Sequence, residues 1–331
     1  VLLAGTSAGL QKLRGTSAPA LARFLLTRGL FLVVFEMVVV APLIWLGLPI
    51  PFGITLQVIW ALGIGMIVLA ALQYLPMRVV AAIGLVIVAT HNLLDPIQLA
   101  MPQGSAAATS PLTVLWLMVH QTGPITEGGA FGPSVYMQYP ALPWLGLMAA
   151  GYGLAELYGM EARRRRQLLV AFGAGAAVLF VALRLGNLYG DPQPWTAQDT
   201  PVHTLMHFFN VQKYPPSLLY LCATLTFTFV ALAWADQRVF AGRVGRALVT
   251  YGRVPLFFYV LQWPWTKLSL LAMLAVYGIP EMKDGMPVNF GGPIWFTYVC
   301  WAVGAVALYW PCRWYAQVKA RRRDLTILRY V

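Results

Sequence analysis

Long apolar runs separated by short polar stretches make up nearly the whole chain, and the run lengths organise it. A bilayer-spanning helix needs roughly 17 to 25 apolar residues, because a rise of about 1.5 Å per residue must cross about 30 Å of hydrocarbon. Runs near that length are expected to span at about 24–48, 54–75, 79–94, 139–158, 167–189, 215–235, 253–277 and 293–316. The apolar piece at 111–120 is too short to cross and is expected to be re-entrant or to lie at the interface. The pattern therefore predicts an all-α polytopic bundle with about eight full spans plus that one segment. It forms a single transmembrane domain over 1–331, with 1–23 a cytoplasmic lead-in that includes the remnant of an upstream span and 313–331 a cytoplasmic basic tail.

Composition agrees with this pattern. Of 331 residues, 59% are hydrophobic and 10% charged, far from a soluble domain. The net charge of +12 does not imply nucleic-acid binding, because the basic residues bunch at the ends of the runs. Alternating the spans places Arg78, Arg163 to Arg166, Arg238, Arg243, Arg246 and Lys319 to Arg323 on one side, together with both ends of the chain. The positive-inside rule makes that side the cytoplasm. All four histidines (His91, His120, His203 and His207) then fall at the outer face with Asp95, Asp191, Asp199 and Lys213. The three cysteines lack metal-ligand spacing and read as packing thiols. No fixed-period repeat is present.

Candidate chemistry gathers in the polar stretch from Arg184 to Tyr220, which joins two spans. Arg184, near the outer end of its span, can snorkel or hold an anionic group, and Asn187 follows it. His203 and His207 are one helical turn apart, as two ligands on one face would be, but no third ligand accompanies them and no metal is expected. Lys213 begins Lys-Tyr-Pro-Pro-Ser217, a stiff start to the next span. Upstream, His91 and Asp95 are also one turn apart, so a carboxylate can orient an imidazole as a general base, or the pair can simply cap a helix end. An outer helix end should contribute little packing, so His91→Ala is expected to spare the fold. Glu36 stands among apolar residues in mid-span, where charge is costly without a partner; Lys267 is the expected partner, in a functional or a structural pair.

Several segments then carry a resemblance. They include Arg23-Phe-Leu-Leu-Thr-Arg-Gly29, His91-Asn-Leu-Leu-Asp95, Tyr139-Pro-Ala-Leu-Pro-Trp144, Tyr189-Gly-Asp-Pro192, Lys213-Tyr-Pro-Pro-Ser217 and Gly252-Arg-Val-Pro-Leu-Phe-Phe-Tyr259. In order and spacing the chain resembles bacterial membrane proteins related to heparan-α-glucosaminide N-acetyltransferase, within the wider transmembrane acyltransferase group. The resemblance implies acyl transfer from acyl-CoA, the donor substrate, to a sugar-like acceptor at the outer face of a bacterial inner membrane. A histidine is the implied base or acyl carrier: His91 oriented by Asp95, with Arg184, Asn187, His203, His207 and Lys213 holding the acceptor. His91, Arg184, Lys213 and one of His203 and His207 should then converge on one cavity. The chain departs from the family in beginning after its usual first segment and in having Gln262 where many relatives have histidine. Those departures, with the 12 tryptophans, fit a second reading: an accessory subunit that packs against other membrane subunits and binds lipid, quinone or pigment.

Overall fold

The computed structural model describes residues 1–45, 53–100, 110–129, 132–238, 240, 242–278, 281–283, 286–288, 292–322 and 324. It is 74% helix and 5% strand. Residue contacts divide the chain into two units, one of Val1–Pro42 with Pro51–Arg238 and one of Leu43–Ile50 with Val239–Val331.

The first unit begins with α1 (Leu2–Leu13) and α2 (Ala18–Phe35). A wide turn at Glu36–Val40, in which the Ala41 N–H donates to the Glu36 carbonyl, continues α2 into α3 (Ala41–Trp45). Strand β1 (Gly53–Leu56) precedes α4 (Val58–Leu72) and α5 (Met77–Thr90), and a tight turn at His91–Leu94 prolongs α5. Then come α6 (Pro111–Val119), β2 (Gly123–Gly129), β3 (Gly132–Met137), α7 (Ala141–Leu154), α8 (Ala162–Leu185), α9 (Pro201–Phe209) and α10 (Leu218–Ala235). The second unit holds α11 (Arg243–Arg253), α12 (Pro255–Tyr277), the hairpin β4 (Glu281–Lys283) and β5 (Met286–Val288), α13 (Ile294–Ala307) and α14 (Tyr309–Arg321).

Two expectations are corrected here. Among the described residues five helices, not eight, are long and apolar enough to cross a membrane: Ala18–Trp45, Met77–Leu94, Ala162–Leu185, Leu218–Ala235 and Ile294–Arg321. The run at 54–75 opens as a strand, which leaves α4 only 15 residues, and the run at 139–158 yields a 14-residue α7. Helix α12 has 23 residues, but Pro264, Gln262 and Lys267 interrupt its apolar character. The second correction is that the fold is not purely helical. Strand β3 pairs parallel with β1, Ile54 opposite Val135, and antiparallel with β2. The short turn between the runs at 24–48 and 54–75 lies mostly outside the described residues.

Small residues set the closest helix approaches in the first unit. Gly29 of α2 and Gly63 of α4 face each other, and a Cβ added to either would meet the other's carbonyl oxygen at 2.7 Å. The buried core beside them includes Leu56, Trp60, Leu117, Met137, Trp144 and Leu221, drawn from helices and sheet alike. Side-chain bonds identify the two ends of this unit. At one, Arg78 pairs with Glu156 at 3.2 Å and Arg165 grips Asp236 through Nε and Nη2 at 3.0 and 3.1 Å. The opposite ends of α5, α8 and α10 meet in the polar network that follows.

Candidate functional site

The network forms where α5 ends, because His91, Asn92 and Asp95 come off a tight turn that points them toward the start of α10. Asn92 donates to Asp95 Oδ2 at 2.8 Å and accepts from the Leu218 N–H at 2.8 Å, supplying a partner to one of the unpaired donors at the α10 N-terminus. His91 is buried, with Nε2 2.9 Å from the Pro216 carbonyl and Nδ1 3.0 Å from that of Val88. A neutral imidazole has one N–H and can donate to only one of these sides at a time. His91 is thus a tie between α5 and the approach to α10, and the expectation that this helix end packs loosely is overturned.

Asp95 orients a different histidine. His120, the residue that follows α6, places Nε2 2.9 Å from Asp95 Oδ1. Its side chain is 2% exposed, and its Nδ1 has no hydrogen-bond partner among the described residues. With the Nε2–H donated to the carboxylate, Nδ1 carries the free lone pair, as in a histidine held for general-base work. Trp116 lies beside the ring at 5.7 Å and His91 at 6.1 Å between centroids. Alternation of the spans places His120 at the outer face but does not bring it to Asp95. Asp95 and His120 are 25 residues apart in the chain, and only the fold pairs them.

A second carboxylate, Asp191, organises the stretch between α8 and α10. It accepts from the Gln193 N–H at 3.0 Å, the Gln212 N–H at 2.8 Å and the Ser217 hydroxyl at 2.8 Å. Arg184 lies 3.8 Å from it and is 1% exposed. The guanidinium donates to the carbonyls of Phe208, Gln193, His207 and Asn210 at 2.7 to 3.1 Å. Its donors are therefore turned into its own loop, neither snorkelling nor open to a ligand. Asn187, at φ +47°, exchanges two bonds of 3.0 Å with the Trp195 backbone. Left-handed backbone of this kind is one that asparagine tolerates better than most residues.

The remaining predicted residues do not join one open pocket. His203 is exposed on α9, where its backbone N–H caps onto the Thr200 hydroxyl. His207 accepts from the Thr196 N–H at 3.0 Å. Lys213 is exposed, with its ammonium 4.9 Å from the Tyr214 ring centre. Tyr214 meets Tyr139 at 3.3 Å between hydroxyls. Burial alone would raise the Tyr214 phenol, but Lys213 and Tyr139 hold it below its ordinary range. Tyr189 closes the loop onto α5 by donating to the Ala89 carbonyl at 2.8 Å, and burial, helped by the Asp95 charge, raises its phenol. Among the described residues no group of three or more His, Cys, Asp or Glu is arranged to hold a metal.

Glu36 and Lys267, the expected intramembrane pair, fall in different units. Lys267, in the second unit, donates to the Ile44 carbonyl at 2.7 Å. Glu36 is fully buried in the wide turn, and among the described residues neither carboxylate oxygen reaches hydrogen-bond geometry. The backbone of Gln57, Ile59 and Trp60, at the start of α4, lies beside the carboxylate. A carboxylate facing the positive end of a helix gains from the peptide dipoles there. Glu36 thus faces the interior of the first unit, as its cost in lipid requires, beside a helix terminus.

Fold and composition define a multi-pass helical membrane protein. No protein-family model matches the chain, and no curated protein is significantly similar to it.

Proposed function

We propose that the protein is a membrane acyltransferase that moves an acyl group from acyl-CoA to a hydroxyl or amino group of a sugar-like acceptor at the outer face of a bacterial inner membrane, with His120 as its base. The observation that carries this reading is the buried Asp95–His120 pair with a free Nδ1. A carboxylate that holds one imidazole nitrogen while the other keeps its lone pair supports this reading, because general-base work needs that arrangement. In this scheme Nδ1 takes the acceptor's proton as the acceptor attacks the acyl carbonyl, and the thiolate of CoA leaves. Asp95 stabilises the imidazolium that forms. The end of the first unit bearing Arg78, Arg165 and Arg238 is the cytoplasmic one, and the histidine end is the outer one.

His120→Gln is the test, because glutamine can keep the hydrogen bond to Asp95 but has no basic nitrogen. Acyl transfer by the purified protein should fall about 10²- to 10⁴-fold with the thermal midpoint little changed. Full activity in that variant would remove His120 as the base.

A second reading, an accessory subunit of a larger membrane complex, is favoured by a different observation. Only 6% of the apolar window in Ile294–Arg321 is buried, and Trp295, Trp301, Trp310 and Trp314 are each 57% to 71% exposed. Such a face meets lipid, pigment, quinone or another subunit. Co-purification of stoichiometric membrane partners, lost on Trp301→Ala and Trp310→Ala, would select this reading; a free monomer in mild detergent would oppose it.

A further inference from the structure

In the second unit, α11 reads Arg-Val-Gly-Arg-Ala-Leu-Val-Thr-Tyr-Gly-Arg from 243 to 253. Arg243, Arg246, Thr250 and Arg253 recur at helical spacing and share one face. That face and α14 border a groove of about 850 Å³, to which α14 adds Arg313 and Gln317. Neither Asp nor Glu is among the described residues lining it. The walls are held by aromatic contacts: Phe257 stacks on Tyr315 at 4.2 Å, and Tyr251 meets Phe258 edge-on at 4.9 Å while donating to the Ala305 carbonyl. The guanidinium groups of Arg243, Arg253 and Arg313 border one cleft and repel one another, and an anion in the cleft lowers that cost. The planar guanidinium matches phosphate oxygens two at a time, which favours phosphate over a small halide.

The other side of α11 indicates where the phosphate comes from. Val244 and Leu248 are 75% and 54% exposed. A helix with bare apolar positions on one side and arginines on the other lies at the boundary between acyl chains and headgroups. We propose that the groove between α11 and α14 binds the phosphate of an anionic phospholipid headgroup. The site stands apart from the histidine network and does not depend on the acyltransferase reading.

The full chain, purified in detergent, is titrated with phosphatidylglycerol or phosphatidylcholine, and bound lipid is read by native mass spectrometry. Phosphatidylglycerol should bind and phosphatidylcholine should not. The double variant Arg253→Gln with Arg313→Gln should bind phosphatidylglycerol about tenfold or more weakly, the loss expected for charge-assisted hydrogen bonds. If the double variant does not fold, Arg313→Gln alone, at an exposed position, should show a smaller loss in the same direction. Competition with inorganic pyrophosphate separates the sources. Failure to displace the lipid supports a headgroup site, whereas displacement at comparable affinity supports the phosphate site but overturns its assignment to lipid. Equal binding of phosphatidylglycerol by variant and wild type, or equal binding of both lipids by the wild type, overturns the proposal.

Discussion

Arg184 shows how far burial alters what a residue can do. On a span end it reads as a residue that reaches outward, but in the fold four carbonyls surround its guanidinium. Three of those carbonyls, of His207, Phe208 and Asn210, belong to the C-terminal end of α9, where intrahelical donors run out, and the fourth lies in the loop before it, so the side chain supplies the partners. Replacing Arg184 by Met is expected to destabilise the protein by roughly 3–5 kcal/mol, the usual effect of breaking a buried charged network. Lysine should not rescue it, since its three N–H groups lack the planar fork that meets four acceptors. Thermal unfolding and limited proteolysis of the 186–217 stretch measure both, and a wild-type melting point for Arg184→Met would disprove the stapling role. His91→Ala is expected to lower stability by about 1–3 kcal/mol, because it strips a partner from the buried Pro216 carbonyl. An unchanged midpoint in that variant would contradict the tie between α5 and α10.

At the scale of elements, close helix contact and open helix surface make opposite predictions for the same substitution. Gly63→Ala forces a Cβ to within 2.7 Å of the Gly29 carbonyl, so α2 and α4 must separate, at a cost of about 1–3 kcal/mol. Gly175 of α8 has nothing within 4 Å of an added Cβ, and Gly175→Ala should stabilise by up to about 1 kcal/mol through helix propensity. Chemical denaturation of the two variants side by side checks the contrast. Similar losses for both would mean that α2 and α4 are not in backbone contact. The strands are a second lesson at this scale. Ile54-Thr55-Leu56 is too short to show a period of two, and the apolar run after it absorbs it. The parallel partner, β3, lies far along the chain, so nothing local announces the pairing.

For the whole molecule, the polar network and the basic residues mark opposite ends of α5, α8 and α10 in the first unit. If these helices cross the bilayer, probes at the two ends must react from opposite sides. Single cysteines at His203→Cys and Arg164→Cys, in a background lacking the three native thiols, are expected to label from the outer and cytoplasmic faces respectively. Labelling of both from one face would overturn the orientation. Hydropathy alone made every long apolar run look equivalent. The structure separates them, because a 15-residue α4 and a 14-residue α7 sit deep in the first unit while Ile294–Arg321 is almost bare.

The sequence by itself determined the helical membrane class, the placement of charge at run ends and the restriction of polar chemistry to a few stretches. All three follow from properties summed over many residues: bilayer thickness against helix rise, and the cost of charge in hydrocarbon. It also singled out Asp95, but paired it with the nearer of two histidines, because spacing along one turn is the only proximity that a chain displays. Tertiary structure decided the rest. It brought His120 to Asp95 across 25 residues, closed the 186–217 stretch around Arg184, and faced Glu36 with the start of α4. Hydrogen bonds act over about 3 Å, and a buried polar atom takes the partner the fold brings within that distance.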